Sequence, residues 1–96
     1  AGVVLLTRSL ARELAPEGIR VNCVSPGNTY FDGVIWQNIE KNMPDLYNST
    51  LKANPTGRFG TAEEVAAGVV FISSPVASRI SGTNLVIDGA FTRRVN

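Results

Sequence analysis

The chain has 96 residues, of which 44% are hydrophobic and 18% charged, and nine Lys and Arg against eight Asp and Glu give a net charge of +1. This length holds one domain at most and lies near the lower limit for a chain that folds alone. The charge balance lacks the basic excess that nucleic-acid binding needs, and no apolar run approaches the roughly 20 residues of a membrane span. A single cysteine, Cys23, cannot form an internal disulfide, and the absence of histidine removes the usual proton relays and metal sites. The composition therefore predicts a cytoplasmic globular chain with no nucleic-acid, membrane or metal partner.

A helix is predicted over residues 1–15. Leu6, Leu10 and Leu14 recur every fourth residue and form one apolar stripe. The segment 16–18, Pro-Glu-Gly, supplies the end of the helix. No Ser, Thr, Asp or Asn cap precedes the first helical residue. We therefore expect that the sequence was cut from a longer protein.

Two segments are predicted to be strands. Residues 19–24 are rich in β-branched side chains and are closed by a Ser-Pro-Gly turn. Residues 84–88 are almost continuously apolar, as in a strand that is buried on both faces. A helix precedes this second strand and opens with a capping box, in which Thr61 is the cap and Glu64 reaches back to the backbone.

Two apolar strands joined through a helix predict a parallel βαβ unit with a right-handed crossover. Two strands cannot cover both faces and both edges of a parallel sheet by themselves. We therefore expect the α/β class, as the C-terminal part of a doubly wound, Rossmann-like parallel sheet that contributes its last two strands with flanking helices.

The segment 28–54 lacks strong periodicity. Weak helical patterns occur over residues 34–43 and 45–53, and Pro44 separates them. Loops of this length in compact domains are commonly lids or binding segments.

Three segments resemble, in order and at family spacing, the motifs of short-chain dehydrogenases/reductases. Residues 19–27, Ile-Arg-Val-Asn-Cys-Val-Ser-Pro-Gly, are similar to the sixth strand and Pro-Gly turn of that family. Residues 55–66 are similar to its P-x-G-R-x-G-x-x-E-E-V-A entry to the last long helix, and residues 81–90 to its closing G-x-x-L-x-V-D-G-G strand. The resemblance covers essentially all of the chain. It implies that residues 1–96 are the C-terminal part of a single Rossmann-like domain, with the N-terminal cofactor-binding part absent.

The family's catalytic residues are expected to lie outside this chain. Its Tyr-x-x-x-Lys pair precedes the sixth strand, and neither Tyr30 nor Tyr47 has a lysine four residues on. The catalytic Ser and the glycine-rich dinucleotide fingerprint are absent too. We therefore predict no catalytic residue here and no dehydrogenase activity from the 96 residues alone. For the complete enzyme, the resemblance implies an oxidoreductase that uses NAD or NADP, interconverts a carbonyl and an alcohol by hydride transfer, and forms a homo-oligomer (dimer or tetramer).

The resemblance assigns nicotinamide contacts to four consecutive residues: Pro26, Gly27, Asn28 and Thr29. They follow the carboxyl end of a strand, where ligands bind in open parallel sheets. A glycine lets the backbone approach a flat ring closely, because no Cβ intervenes. In the family the backbone two residues after this glycine holds the carboxamide, and that residue is Thr29. The alternative interpretation is an ordinary Pro-Gly turn.

Residues 28–54 correspond to the family's substrate-binding loop. The resemblance implies that its large side chains contact a small-molecule carbonyl or alcohol substrate, and these are Tyr30, Phe31, Trp36, Met43 and Tyr47. If they do line the pocket, the substrate is fairly apolar. The same side chains would equally serve as cover for a loop that packs on its own sheet.

Other residues at family positions are predicted to be structural. Asn22 is expected to link backbone segments through its amide, and Arg58 and Asp88 to tie loops to helix and strand ends. The rival hypothesis for the whole chain is a non-catalytic fragment that acts only as an oligomerisation or structural piece. Intact mass discriminates, because upstream residues with a Tyr-x-x-x-Lys pair favour the enzyme.

Overall fold

A computed structural model describes residues 2–30 and 35–93. It contains four helices and two strands among these residues: α1 (Gly2–Leu14), β1 (Cys23–Pro26), α2 (Ile35–Asn42), α3 (Pro44–Ala53), α4 (Ala62–Ser73) and β2 (Asn84–Ile87). Short 3-10 turns follow α1 (Ala15–Glu17) and α4 (Pro75–Ala77). No helix of the described residues has the length and apolar character that crossing a membrane requires.

The chain forms two compact units. The first comprises the residues up to Ser25 together with Ala66–Val86, and the second comprises Pro26–Val65 together with the residues from Ile87 onward. In the first unit the Cys23 N–H donates to the carbonyl oxygen of Thr83 at 2.9 Å, and in the second the Gly27 N–H donates to that of Ile87 at 2.8 Å. The offset between donor and acceptor is the same at both points, so β1 and β2 are parallel neighbours. The α/β class is confirmed.

The first predicted helix is confirmed, but its buried face is not the leucine stripe. Thr7 and Ala11 are the buried residues of α1, whereas Leu6 is 58% exposed. A Cβ on Gly82, whose φ is +76°, would lie 3.4 Å from that of Ala11. The first unit therefore brings Ala11 and the side chain of Arg8 close to position 82, where a residue larger than glycine would crowd them.

The first strand begins later than predicted, at Cys23 instead of Ile19. Extended pairing already exists at Val21, whose carbonyl accepts from the Gly82 N–H at 2.7 Å. Side chains take the place of a regular ladder there. The Val21 N–H donates to Ser81 Oγ at 3.2 Å, and the Thr83 N–H donates to the amide oxygen of Asn22 at 3.0 Å.

Asn22 links backbone segments, as predicted. Besides accepting from Thr83, its amide Nδ2 donates to the Ile80 carbonyl at 2.9 Å. Cys23 is a free, half-buried thiol that lies 3.4 Å from the amide oxygen of Asn84.

Arg20 holds together the turn that follows α4. Its Nη1 donates to the carbonyls of Ile72 (2.8 Å) and Ile80 (3.0 Å), and its Nη2 to that of Ser74 (3.3 Å). A cation at a helix C-terminus satisfies carbonyls that have no partner within the helix.

We predict that Arg20→Met lowers the free energy of unfolding by about 1.5–3 kcal/mol, the range for hydrogen bonds to a charged group. The matched control is Arg79→Met, because Arg79 is exposed and makes no hydrogen bond with the described residues. Urea unfolding of the wild-type protein and both variants measures the difference. Equal midpoints for the two variants would contradict the assignment.

Candidate functional site

The predicted cofactor turn lies in the second unit, where it follows β1. Pro26 ends the strand, and the Gly27 N–H donates to the Ile87 carbonyl at 2.8 Å. A Cβ on Gly27 would lie 2.6 Å from the Cβ of Asp88 and 2.9 Å from its Cα. Glycine is therefore required here by the close approach of residue 88. This packing reason differs from the predicted one, the approach of a flat ring, and the cofactor contact itself stays a prediction.

The backbone of Thr29 has a defined direction. Thr29 forms a parallel bridge with Gly60, in which the Gly60 N–H donates to the Asn28 carbonyl and the Tyr30 N–H donates to the Gly60 carbonyl, both at 2.9 Å. Residues alternate in direction along an extended segment, so the N–H and C=O of Thr29 point to the edge opposite Gly60. One donor and one acceptor side by side are complementary to a primary carboxamide. The turn therefore fits the group that the family binds there.

A buried asparagine anchors the chain that leads to Gly60. Asn54 is 6% exposed, and its amide oxygen accepts from the Thr56 N–H at 2.8 Å and from Thr56 Oγ1 at 2.6 Å. Its Nδ2 lies 3.4 Å from the Asp88 carbonyl. Gly89 has a φ of +63°, and a Cβ there would lie 2.9 Å from Thr56 Cγ2. This role of Asn54 was not predicted from the sequence.

The capping box of α4 is confirmed and carries an ion pair. The Glu64 N–H donates to Thr61 Oγ1 at 3.1 Å, and the Thr61 N–H donates to Glu64 Oε1 at 2.9 Å. Arg58 binds the same carboxylate with both terminal nitrogens, Nη1 to Oε1 at 2.7 Å and Nη2 to Oε2 at 2.8 Å. Arg58 therefore ties its loop to the start of a helix, as predicted. The Arg58 guanidinium, followed by the Thr61 N–H, lowers the pKa of Glu64 to about 2.

The lowered pKa of Glu64 predicts a pH dependence of stability. A carboxylate whose pKa falls on folding stabilises the folded state above its unfolded pKa of 4.5 and loses that contribution as the pH falls toward 2. Glu64→Gln is expected to flatten the dependence of the melting temperature between these two values. Thermal unfolding of Glu64→Gln and of Glu63→Gln across this pH range provides the test. A loss of slope that is equal in both variants would contradict it.

Three of the predicted substrate residues form one aromatic cluster around Phe59. The ring of Phe59, which is 6% exposed, lies 5.0 Å from Trp36, 5.2 Å from Tyr47 and 6.5 Å from Tyr30. Met43 is 53% exposed, and Phe31 lies outside the described residues. Sequence reasoning missed Phe59, because it occupies a variable position of the motif. The contacts show that the three aromatic side chains pack on the chain itself, while their contact with a substrate remains a prediction.

Glu40 on α2 interacts with both tyrosines of this cluster. Tyr30 Oη donates to Glu40 Oε1 at 2.6 Å. Burial raises the pKa of Tyr47, and the charge of Glu40 and a hydrogen bond to it raise it further. The Tyr47 phenol is therefore held in its neutral form.

A cavity of about 80 Å³ lies between the turn at residues 26–29 and the loop that the Arg58–Glu64 ion pair holds. Its lining includes Asn28, Asn54, Arg58, Glu64, Asp88 and Gly89. Ligand pockets span about 300–1,000 Å³, so this cavity suits a few water molecules. The cavity lies on the Gly60 side of the turn, whereas the backbone N–H and C=O of Thr29 point to the opposite edge.

Comparison with known proteins assigns the chain to a family. A family model described as enoyl-(acyl carrier protein) reductase matches residues 1–92. The chain is 39% identical over 97 residues to a 3-oxoacyl-[acyl-carrier-protein] reductase, FabG, of Chlamydia pneumoniae, an alignment that covers 96% of this chain and 35% of the relative. It is 38% identical over 87 residues to a galactitol 2-dehydrogenase (L-tagatose-forming) of Cereibacter sphaeroides, with coverage of 91% and 33%. The chain belongs to the short-chain dehydrogenase/reductase family.

Solved structures agree with this assignment. The crystal structure of YwfH, an NADPH-dependent reductase involved in bacilysin biosynthesis, matches with a TM-score of 0.85 and 29% identity, covering 98% of this chain and 38% of YwfH. A protein from Thermus thermophilus matches with a TM-score of 0.82 and 32% identity, covering 94% of this chain and 36% of that one. The chain spans about a third of the length of the relatives that it matches.

Proposed function

We propose that this chain forms the nicotinamide-facing and substrate-covering part of an NAD- or NADP-dependent oxidoreductase that interconverts a carbonyl and an alcohol. In this proposal residues 1–96 are the C-terminal part of a Rossmann-like domain, in a cytoplasmic homo-oligomer. Family membership supports the reaction class, and the NADPH dependence stated for YwfH supports the cofactor class. The observation that carries the proposal is the outward-facing N–H and C=O of Thr29 at the carboxyl end of β1.

The bound nicotinamide would supply or accept the hydride. The backbone of Thr29 would orient the ring through its carboxamide, and the Pro26–Asn28 turn would lie against it. The side chains that would cover a fairly apolar substrate are those named from the sequence: Tyr30, Phe31, Trp36, Met43 and Tyr47. An apolar cover excludes water from the reacting atoms and strengthens the polar contacts inside the site. No residue of this chain is assigned the proton transfer to the substrate oxygen.

The test uses a protein of the relatives' full length that carries this chain, called here the full-length protein. We expect it to bind NADH or NADPH, measured by nicotinamide fluorescence, and to consume the cofactor with a 3-oxoacyl thioester or L-tagatose as probe. The isolated chain should give no turnover, because it lacks the Tyr-x-x-x-Lys pair. Failure of the full-length protein to bind either dinucleotide would contradict the proposal. It would favour the alternative of a non-catalytic structural piece.

A further inference from the structure

We propose that Arg58 and Glu64 are positioning residues that set the direction of the Thr29 backbone and thereby the affinity for the nicotinamide cofactor. This inference rests on the proposed function. It concerns two exposed side chains that would not themselves touch the cofactor, since they lie on the Gly60 side of the turn and Thr29 faces the other side.

The first step is the connection from Thr29 to Gly60. Residues 28 and 30 each make a 2.9 Å backbone hydrogen bond to Gly60, one as acceptor and one as donor. A Cβ on Gly60 would find its nearest neighbour, the Asn28 carbonyl oxygen, at 3.7 Å, which is an ordinary contact. The two segments are therefore joined by hydrogen bonds, without a steric fit. The placement of Gly60 determines the edge that Thr29 presents.

The second step is the connection from Gly60 to Glu64. The residues on either side of Gly60 are held by one ion pair. Arg58 Nη1 donates to the Phe59 carbonyl at 3.1 Å while it binds the Glu64 carboxylate, and that carboxylate also accepts from the Thr61 N–H. Loss of the charge on Glu64 would release Arg58 and with it the carbonyl next to Gly60.

The third step separates positioning from stability. The side chains of Arg58 and Glu64 are 58% and 44% exposed, and exposed ion pairs contribute little to the free energy of folding. Glutamine also serves at the last position of a capping box, three residues after the cap. Glu64→Gln therefore keeps an acceptor for the Thr61 N–H and removes the bidentate contact with Arg58. The fold is expected to persist, while the Arg58–Glu64 ion pair, called here the brace, is lost.

The matched control is Glu63→Gln. Glu63 is the preceding residue in the first turn of α4, is exposed, and its side chain makes no hydrogen bond or ion pair with the described part of the chain. Its substitution changes the net charge and the helix N-terminus in the same way but leaves the brace intact.

The experiment is a double-mutant cycle in the full-length protein with Glu64→Gln, Arg58→Gln and the double variant. We expect each single variant to weaken binding of the reduced cofactor about threefold to tenfold, and the double variant to be no weaker than either single one. The KM for the cofactor should rise while the KM for the carbonyl probe stays near wild type and each variant still unfolds in one cooperative transition. Glu63→Gln should bind within twofold of wild type.

Amide hydrogen exchange without cofactor gives a second readout that does not depend on activity. Exchange at Gly60 and Tyr30 should quicken in Glu64→Gln and stay unchanged in Glu63→Gln. If the wild type binds cofactor but Glu64→Gln matches Glu63→Gln in both readouts, the positioning role is wrong and the proposed function stands. If the wild type binds no dinucleotide, the proposed function and the role in affinity both fail. If amide exchange at Gly60 and Tyr30 is also unchanged in Glu64→Gln, the ion pair does not hold the Gly60 segment either.

Discussion

Light scattering on the isolated 96-residue chain at micromolar concentration is expected to show associated species, with no persistent 10.3 kDa monomer. The reason lies in the first unit, where large apolar side chains are exposed: Leu6 58%, Val70 68%, Phe71 50%, Val76 85% and Val86 38%. Among the described residues the buried apolar side chains are Ala11, Phe59, Ile72 and Ala77, two of which are alanines. Full burial of one leucine contributes about 1.5–3 kcal/mol. Two or three such side chains therefore match the roughly 5 kcal/mol by which a small domain is stable.

Thermal unfolding of the same sample completes this test. We expect a transition whose midpoint rises with protein concentration, because association would supply the missing burial. Leu6→Lys should weaken the association, since it adds a charge to the exposed stripe of α1. A monodisperse monomer with a cooperative, concentration-independent transition would contradict this account of the exposed surfaces.

Gly27→Ala is expected to lower both the stability of the protein and its affinity for the cofactor. The added Cβ would lie 2.6 Å from the Cβ of Asp88, so the backbone of one segment must move. Overpacking of this kind costs about 1–3 kcal/mol of stability. The displaced turn carries Thr29, so affinity for the reduced cofactor should fall as well.

Urea unfolding and cofactor titration of the full-length protein measure both effects. Gly60→Ala is the matched control, because its Cβ would meet its nearest neighbour at 3.7 Å and neither stability nor affinity should change much. A Gly27→Ala variant as stable as Gly60→Ala would show that the close approach to Asp88 does not constrain the turn.

Local patterns predicted the elements that depend on neighbouring residues. A first helix (Gly2–Leu14), two helices on either side of Met43 and the Thr61 capping box are present among the described residues. Each rests on spacing within one or two turns, which a sequence displays directly.

Contacts between distant segments could not be predicted in the same way. β1 starts late because hydrogen bonds to the side chains of Ser81 and Asn22 replace the regular ladder before Cys23. These bonds join residues that lie about sixty positions apart in the sequence. The face of α1 that the first unit buries was not predicted, because the contact of Ala11 with Gly82 joins segments that lie far apart in the sequence.

The candidate site shows the same difference between features that the sequence predicts and contacts that only the structure reveals. Resemblance to a family supplied the turn after β1 and the aromatic residues of the 28–54 segment. It did not supply Asn54, Phe59 or Glu40, which join the turn, the loop and α2. Their roles follow from side-chain geometry, which no spacing rule encodes. The reason for glycine at position 27 is likewise visible only once Asp88 is placed beside it.

The most direct test of the central claim is a crystal structure of the full-length protein with reduced nicotinamide cofactor bound. The account predicts that the carboxamide of the nicotinamide lies within hydrogen-bond distance of the backbone N–H and C=O of Thr29, with Gly60 still paired to residues 28 and 30 on the other side. A nicotinamide bound away from Thr29, or a Thr29 backbone turned toward Gly60, would contradict it.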